Sequence, residues 1–123
     1  LKLLWALLVI FTLSGCATVG TLNKGEGQTY LAKGHSFDEV WDAAIKVVSR
    51  SLTIVDLNKN AGKISAESKS GMTTWGEVIA VYVSKGPDDE RTYEVISQKR
   101  LVMQITGQDW TLTIGEGIRV ELK

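Results

Sequence analysis

SFDEVWDAAIKVVSRSL, residues 36–52, is the stretch whose reading decides the fold. Ser36 followed three places on by Glu39 forms a capping box, in which each side chain satisfies the other residue's free backbone N–H at a helix start. Asp38 and Glu39 also stand in the first turn, where the helix dipole favours negative charge. Behind them Phe37, Val40, Trp41, Ala44, Ile45, Val47, Val48 and Leu52 fall on one side at helical spacing, and Asp38, Glu39, Asp42, Lys46, Ser49 and Arg50 on the other. The pattern predicts an amphipathic helix over about 36–51 that lies on something apolar and turns a mixed-charge back to water.

Beyond Leu52 the hydrophobic period shortens to about two. Residues 53–57 and 63–68 flank the turn-rich Asn58-Lys59-Asn60-Ala61-Gly62 and read as a β-hairpin. A long strand is expected over 73–85, apolar on both sides through Trp75, Val78, Ile79, Ala80, Val81, Tyr82 and Val83. Gly86-Pro87-Asp88-Asp89-Glu90 then reverses the chain, 91–99 returns as a strand, and 101–105 extends it. Upstream, 28–34 is a short strand with Tyr30 and Ala32 on one face. The expected class is α+β: an antiparallel sheet of four to five strands, meander-like, with the helix packed across one face. Residues 109–122 admit two readings. Trp110, Ile114, Ile118 and Leu122 recur every four residues behind Asp109, a good N-cap, which gives a closing helix. Leu112 and Val120 also fit alternation, and Gly115 and Gly117 are poor helix formers, which gives a strand pair turning at Gly115-Glu116-Gly117.

The N-terminus is a different kind of sequence. Lys2 precedes an apolar run over 3–13, interrupted only by Thr12, and the run closes on Leu13-Ser14-Gly15-Cys16 with the only cysteine in the chain. Eleven helical residues rise roughly 16 Å, about half of the hydrocarbon thickness a spanning helix must cross. A secretory signal with small residues before its cleavage point fits better. Leu13-Ser14-Gly15-Cys16 resembles the lipobox of bacterial lipoproteins. That resemblance implies cleavage between Gly15 and Cys16, diacylglycerol on the Cys16 sulfur and an acylated α-amino group. One acyl chain binds a membrane reversibly and two or more hold it, so three imply a permanent anchor. Ala17 in place of an aspartate implies, by the same resemblance, the periplasmic side of the outer membrane in a Gram-negative cell. The expected organisation is a signal peptide over 1–15, a lipidated N-terminus and flexible tether over 16–27 punctuated by Gly20, Gly25 and Gly27, and a single α+β domain over 28–123.

Fourteen basic and fourteen acidic residues leave a formal charge of zero, so no electrostatic footprint for nucleic acid exists and none is expected as a partner. With Cys16 given to lipid, no thiol is left for a disulfide, and packing alone must hold the core.

The search for chemistry yields turns and caps. His35 is the only histidine, beside the helix cap, where half-exposed packing against the first turn is the ordinary role; a Ser-His-acid triad lacks a nucleophile motif. One histidine and a lipidated cysteine cannot supply the three or four ligands zinc needs. Asp56, Asn58, Asn60 and Glu67 occupy the first, third, fifth and twelfth places of a calcium-loop spacing. Ala61 nevertheless stands where that loop requires glycine, and strand signals flank it, so these residues read as hairpin-turn formers. Asp88, Asp89 and Glu90 read as a solvated turn, and Gly25-Glu26-Gly27 lacks the setting of a phosphate loop. Trp41, Trp75 and Trp110 read as core or groove. Trp75 and Tyr82, on opposite faces of one strand, are the candidate interaction surface.

A helix on an antiparallel sheet behind a lipobox, with Asp109-Trp110 opening the last segment, resembles small bacterial lipoproteins of uncharacterised function, which often end in a helix beginning at Asp-Trp. It is more distantly similar to the helix-grip domains in the C lipoprotein of the outer-membrane β-barrel assembly machinery. The resemblance lends no functional residue beyond Cys16. The expectation is a non-enzymatic envelope lipoprotein with no cofactor beyond the covalent lipid, held on the membrane and binding another envelope protein through its sheet. The alternative is a carrier of a small ligand or lipid in a helix-grip cavity.

Overall fold

The computed structural model describes residues 22–69, 76–100 and 107–123. The capping box forms as the sequence requires: Glu39 N donates to Ser36 Oγ at 3.1 Å and Ser36 N donates to Glu39 Oε1 at 3.2 Å. Helix α1 (Phe37–Ser51) follows, and it ends where Leu52 takes an extended conformation while its N–H still reaches Val48 O. Five strands, β1 (Gln28–Leu31), β2 (Thr53–Asn58), β3 (Lys63–Glu67), β4 (Glu77–Val83) and β5 (Thr92–Lys99), make one antiparallel sheet in the order β1-β5-β4-β3-β2. Helix α2 (Thr111–Glu121) joins α1 on one face.

The α+β class, the sheet and the packed helix are therefore as the sequence predicts. The hairpin 53–68 is β2 and β3, with Val55 an extra residue between the pairs Ile54↔Ala66 and Asp56↔Ser65. Asn58 Oδ1 accepts from Ala61 N at 3.1 Å and Gly62 takes a φ of +67°, which is turn chemistry. The strand expected over 73–85 is β4. Trp75 and the extension over 101–105 lie outside the described residues.

Val40, Ala44 and Val48 of α1 are sealed from solvent against Ile79, Val81 and Val95 of the sheet, and Ile114 and Ile118 of α2 extend this core over Tyr93. Each of these valine and isoleucine side chains, fully buried, contributes about 1.5–3 kcal/mol.

The C-terminal segment is a helix, and the strand pair about Gly115-Glu116-Gly117 is not formed. The glycines that argue against a helix are there for clearance. A Cβ on Gly115 would run into the Tyr30 ring, and one on Gly117 would come to 2.7 Å from Val47 Cγ1 of α1. Poor helix propensity is outweighed by the close approach it permits. The expected N-cap is displaced by one residue. Trp110 holds that position, and Asp109 Oδ1 accepts from Thr111 N at 3.0 Å and Thr111 Oγ1 at 2.7 Å. Buried Glu77 fixes the entry to α2 by accepting from Trp110 Nε1 at 2.9 Å and Gln108 N at 3.1 Å.

Candidate functional site

Alternation puts Val78, Ala80 and Tyr82 of β4, Lys63 of β3, and Glu94 and Ile96 of β5 on the sheet face away from the helices. Three of these are aliphatic, so this face too needs a cover, and the residues just before β1 supply it. Leu22 is 1% exposed among Val78, Ala80 and Ile96. Its carbonyl oxygen accepts from Tyr82 Oη at 2.9 Å and Lys63 Nζ at 3.5 Å. Three residues on, Gly25 N donates to both Glu94 carboxylate oxygens at 2.8 and 3.0 Å, and Gly27 N donates to one of them at 3.3 Å. A Cβ at Gly27 would meet the Val95 carbonyl and come to 2.6 Å from Ile96 Cγ1, so only glycine lets the chain lie this close to β5.

Residues 22–27, expected as part of a flexible tether, are thus a strap bonded across the sheet. Tyr82, expected on an interaction surface, is half-buried with its hydroxyl given to the strap and Lys63 Nζ 5.4 Å above its ring. Trp75, its partner in that expectation, lies outside the described residues, as do Gly15 and Cys16. Leu22 and Glu94 were not singled out by the pattern. Their signals were a lone leucine in a glycine-rich polar run and a carboxylate between the apolar Tyr93 and Val95. A buried charge must be matched, and two backbone N–H groups match this one.

A second buried ion ties the turn after β4 to the start of α1. The Arg91 guanidinium, 2% exposed, donates to Ser84 O at 2.5 Å, Gly86 O at 3.0 Å, His35 O at 3.2 Å and Asp88 Oδ1 at 2.9 Å. Asp88–Glu90 form an exposed 3₁₀ turn, in keeping with a solvated reversal. His35 Nδ1 lies 3.1 Å from Glu39 Oε2, and this contact, with the Ser36 bonds, holds the Glu39 carboxyl below its ordinary range. Ser36 Oγ accepts from Glu39 N, so the neighbouring Ser, His and Glu serve a helix cap. Of the calcium-spaced residues, Asn58 closes its own turn and Glu67 pairs with Arg100. No cluster of three metal-ligating side chains occurs among the described residues.

On the helical face Tyr30 and Tyr93 stack with centroids 5.3 Å apart. Their hydroxyls donate to Thr111 O at 2.9 Å and Gly115 O at 2.7 Å. Burial, with Glu116 adding to it, pushes the Tyr93 phenol up to about 12. Glu121 of α2 bridges Lys46 at 2.8 Å and Arg50 at 2.9 Å on α1, and both contacts lower its carboxyl. The described clefts are surface grooves: between α1 and α2, at the end of α1, and between β1 and the last turn of α2. The space beneath α1 is filled by its own side chains and those of β3, β4 and β5.

No helix among the described residues is long and apolar enough to cross a membrane. Comparison with protein-family models, with curated proteins and with solved structures finds no match.

Proposed function

We propose that this chain is a non-enzymatic envelope lipoprotein, anchored through lipid on Cys16 to the periplasmic side of the outer membrane, whose sheet binds another envelope protein. The observation that carries this reading is the strap. The segment that follows Leu13-Ser14-Gly15-Cys16 is bonded to the sheet from Leu22 onward, so an anchor on Cys16 and the fold are joined through only residues 17–21. Six residue steps span at most about 20 Å. Such a module works against its membrane.

For the partner, edge strand β2 offers the better surface. It lies last in the sheet order, and Val55 and Leu57 are 42% and 49% exposed beside its outer backbone groups. An extended segment of another protein can add there as a further strand. The filled space beneath α1 supports this reading over the small-ligand carrier.

Two measurements test it. Fatty-acid labelling should be lost in Cys16→Ser, and globomycin should cause the unprocessed chain to accumulate; labelling that persists in the variant would end the anchor reading. A photo-crosslinker in place of Leu57, activated in intact cells, should capture a discrete heterologous protein, whereas recovery of the uncrosslinked chain alone would end the partner reading.

A further inference from the structure

Residues 22–31 form an arm that grips the edge of β5 from both faces. On the face away from the helices Leu22 is sealed among Val78, Ala80 and Ile96, its carbonyl oxygen accepts from Tyr82 and Lys63, and Glu94 holds the amides of Gly25 and Gly27. On the helical face Tyr30 stacks on Tyr93 and gives its hydroxyl to Thr111 O. Between the two, β1 pairs with β5 from Gln28↔Val95 to Leu31↔Thr92. We infer that this arm is exchanged between copies of the chain: residues 22–31 of a second copy close the same site, and reciprocal exchange makes a two-fold dimer. The exchange involves neither Cys16 nor β2 and stands apart from the anchor and partner readings above.

The arm is a separable element. The partner nearest to it in sequence among those just named, Lys63, is 41 residues from Leu22. Strand β1 lies last in the sheet order, so its departure breaks no other strand pair. Val40, Ala44 and Val48 of α1 stay packed on Ile79 and Val81 without it. What it leaves behind is an open β5 edge, whose free N–H and C=O groups readily take up another strand. Beside that edge lie an apolar slot and a carboxylate stripped of its two amides. The arm of a second copy answers each part of this pattern: a leucine for the slot, the Gly25 and Gly27 amides for Glu94, a tyrosine for Tyr93, and at position 27 a residue small enough to pass the Val95 carbonyl.

The turn that folds the arm back onto its own sheet is Ala32–His35. His35 N donates to Ala32 O at 3.1 Å, and Gly34 takes the third position with a φ of +90°. This bond, and that of Gly34 N to Asp88 O at 2.8 Å, belong to the closed form alone. The contacts of the arm itself are the same in an exchanged pair. Arg91 still holds His35 through the carbonyl oxygen, so only the link from Leu31 to His35 must straighten, and it then spans up to about 14 Å. A Cβ at Gly34 would stand in open space. A side chain there therefore touches nothing and opposes the turn through its backbone preference, whereas a straightened link accepts any residue.

Full-length chain in detergent micelles tests this. An isotopically heavy and a light preparation, each with a diazirine-bearing leucine analogue in place of Leu22, are mixed in denaturant, refolded together, photo-crosslinked and separated by size. In the dimer fraction, mass spectrometry should find heavy–light pairs joining position 22 to residues 78–82, and this fraction should grow with protein concentration. Gly34→Val should tighten the dimer roughly tenfold for each turn relieved, about a hundredfold in all. Crosslinks from position 22 that stay within one copy, in the parent and in Gly34→Val alike, would overturn the inference. A dimer whose position 22 reaches only its own β4 would overturn it as well, since another surface would then hold the pair. Should Gly34→Val fail to refold, the heavy–light result on the parent decides alone.

Discussion

The hydroxyl of Tyr93 on β5 lies 2.7 Å from the carbonyl oxygen of Gly115 in the middle of α2. This bond and the Tyr30 ring packed on the same glycine fix where α2 rests on the sheet. Gly115→Ala should therefore destabilise the protein even though alanine is the better helix former by about 1 kcal/mol. The added Cβ has no space beside Tyr30, and overpacking of this kind costs about 1–3 kcal/mol. Chemical denaturation would measure it, and a raised midpoint would mean that α2 does not sit as described.

The same tyrosine gives an alkaline signature. Its folded phenol titrates at about 12 against an ordinary 10.0, so the folded state favours the protonated form. Stability from this group is complete below pH 10.0 and is lost as pH rises from there toward 12. Tyr93→Phe should flatten that part of the profile and cost about 1 kcal/mol at neutral pH for the lost hydrogen bond. Thermal melts across the alkaline range would show both effects.

Glu121 gives an acidic signature. Lys46 and Arg50 hold its carboxyl below its ordinary value of 4.5, so its contribution is intact above pH 4.5 and fades as pH falls through the folded value. Glu121→Gln should differ from the parent at neutral pH and converge with it in acid. Salt should shrink the neutral difference, because these charges face solvent. Melting temperatures of the two proteins against pH and salt would decide the matter.

The strap can be loosened without touching the helical core. Leu22→Ala should cost about 2–4 kcal/mol as a large-to-small change at a buried site. Glu94→Gln keeps the shape but replaces an ionic acceptor by a neutral one, so hydrogen exchange at Gly25 and Gly27 should quicken while Ile79 and Val81 keep their protection. Unchanged exchange at the two glycines would remove Glu94 from its role as the clasp.

Much of the fold was legible because local and global signals agree. The Ser36–Glu39 box, the helical stripe to Leu52 and the turn residues at 58–62 and 86–90 all took the roles their chemistry prescribes. Residues 109–122 were ambiguous because the deciding contact is tertiary: Gly115 and Gly117 read as breakers until Tyr30 and Val47 are seen against them. The strap was illegible for a related reason. A polar run with one leucine looks like a tether, and only the pairing of β5 with β1 brings Glu94 under the amides of Gly25 and Gly27. Arg91 escaped notice because three of its acceptors are backbone oxygens, which no side-chain motif reports.

Gly27 meets Glu94 67 residues later in the chain, and β1 pairs with β5 across the same gap, whereas β2, β3 and β4 join neighbours. Closing a long loop costs entropy before its contacts can return anything, so the meander of near neighbours should condense first and wait for its first strand. For a chain emerging N-terminus first, the earliest residues of the domain to appear would be among the last to find their places.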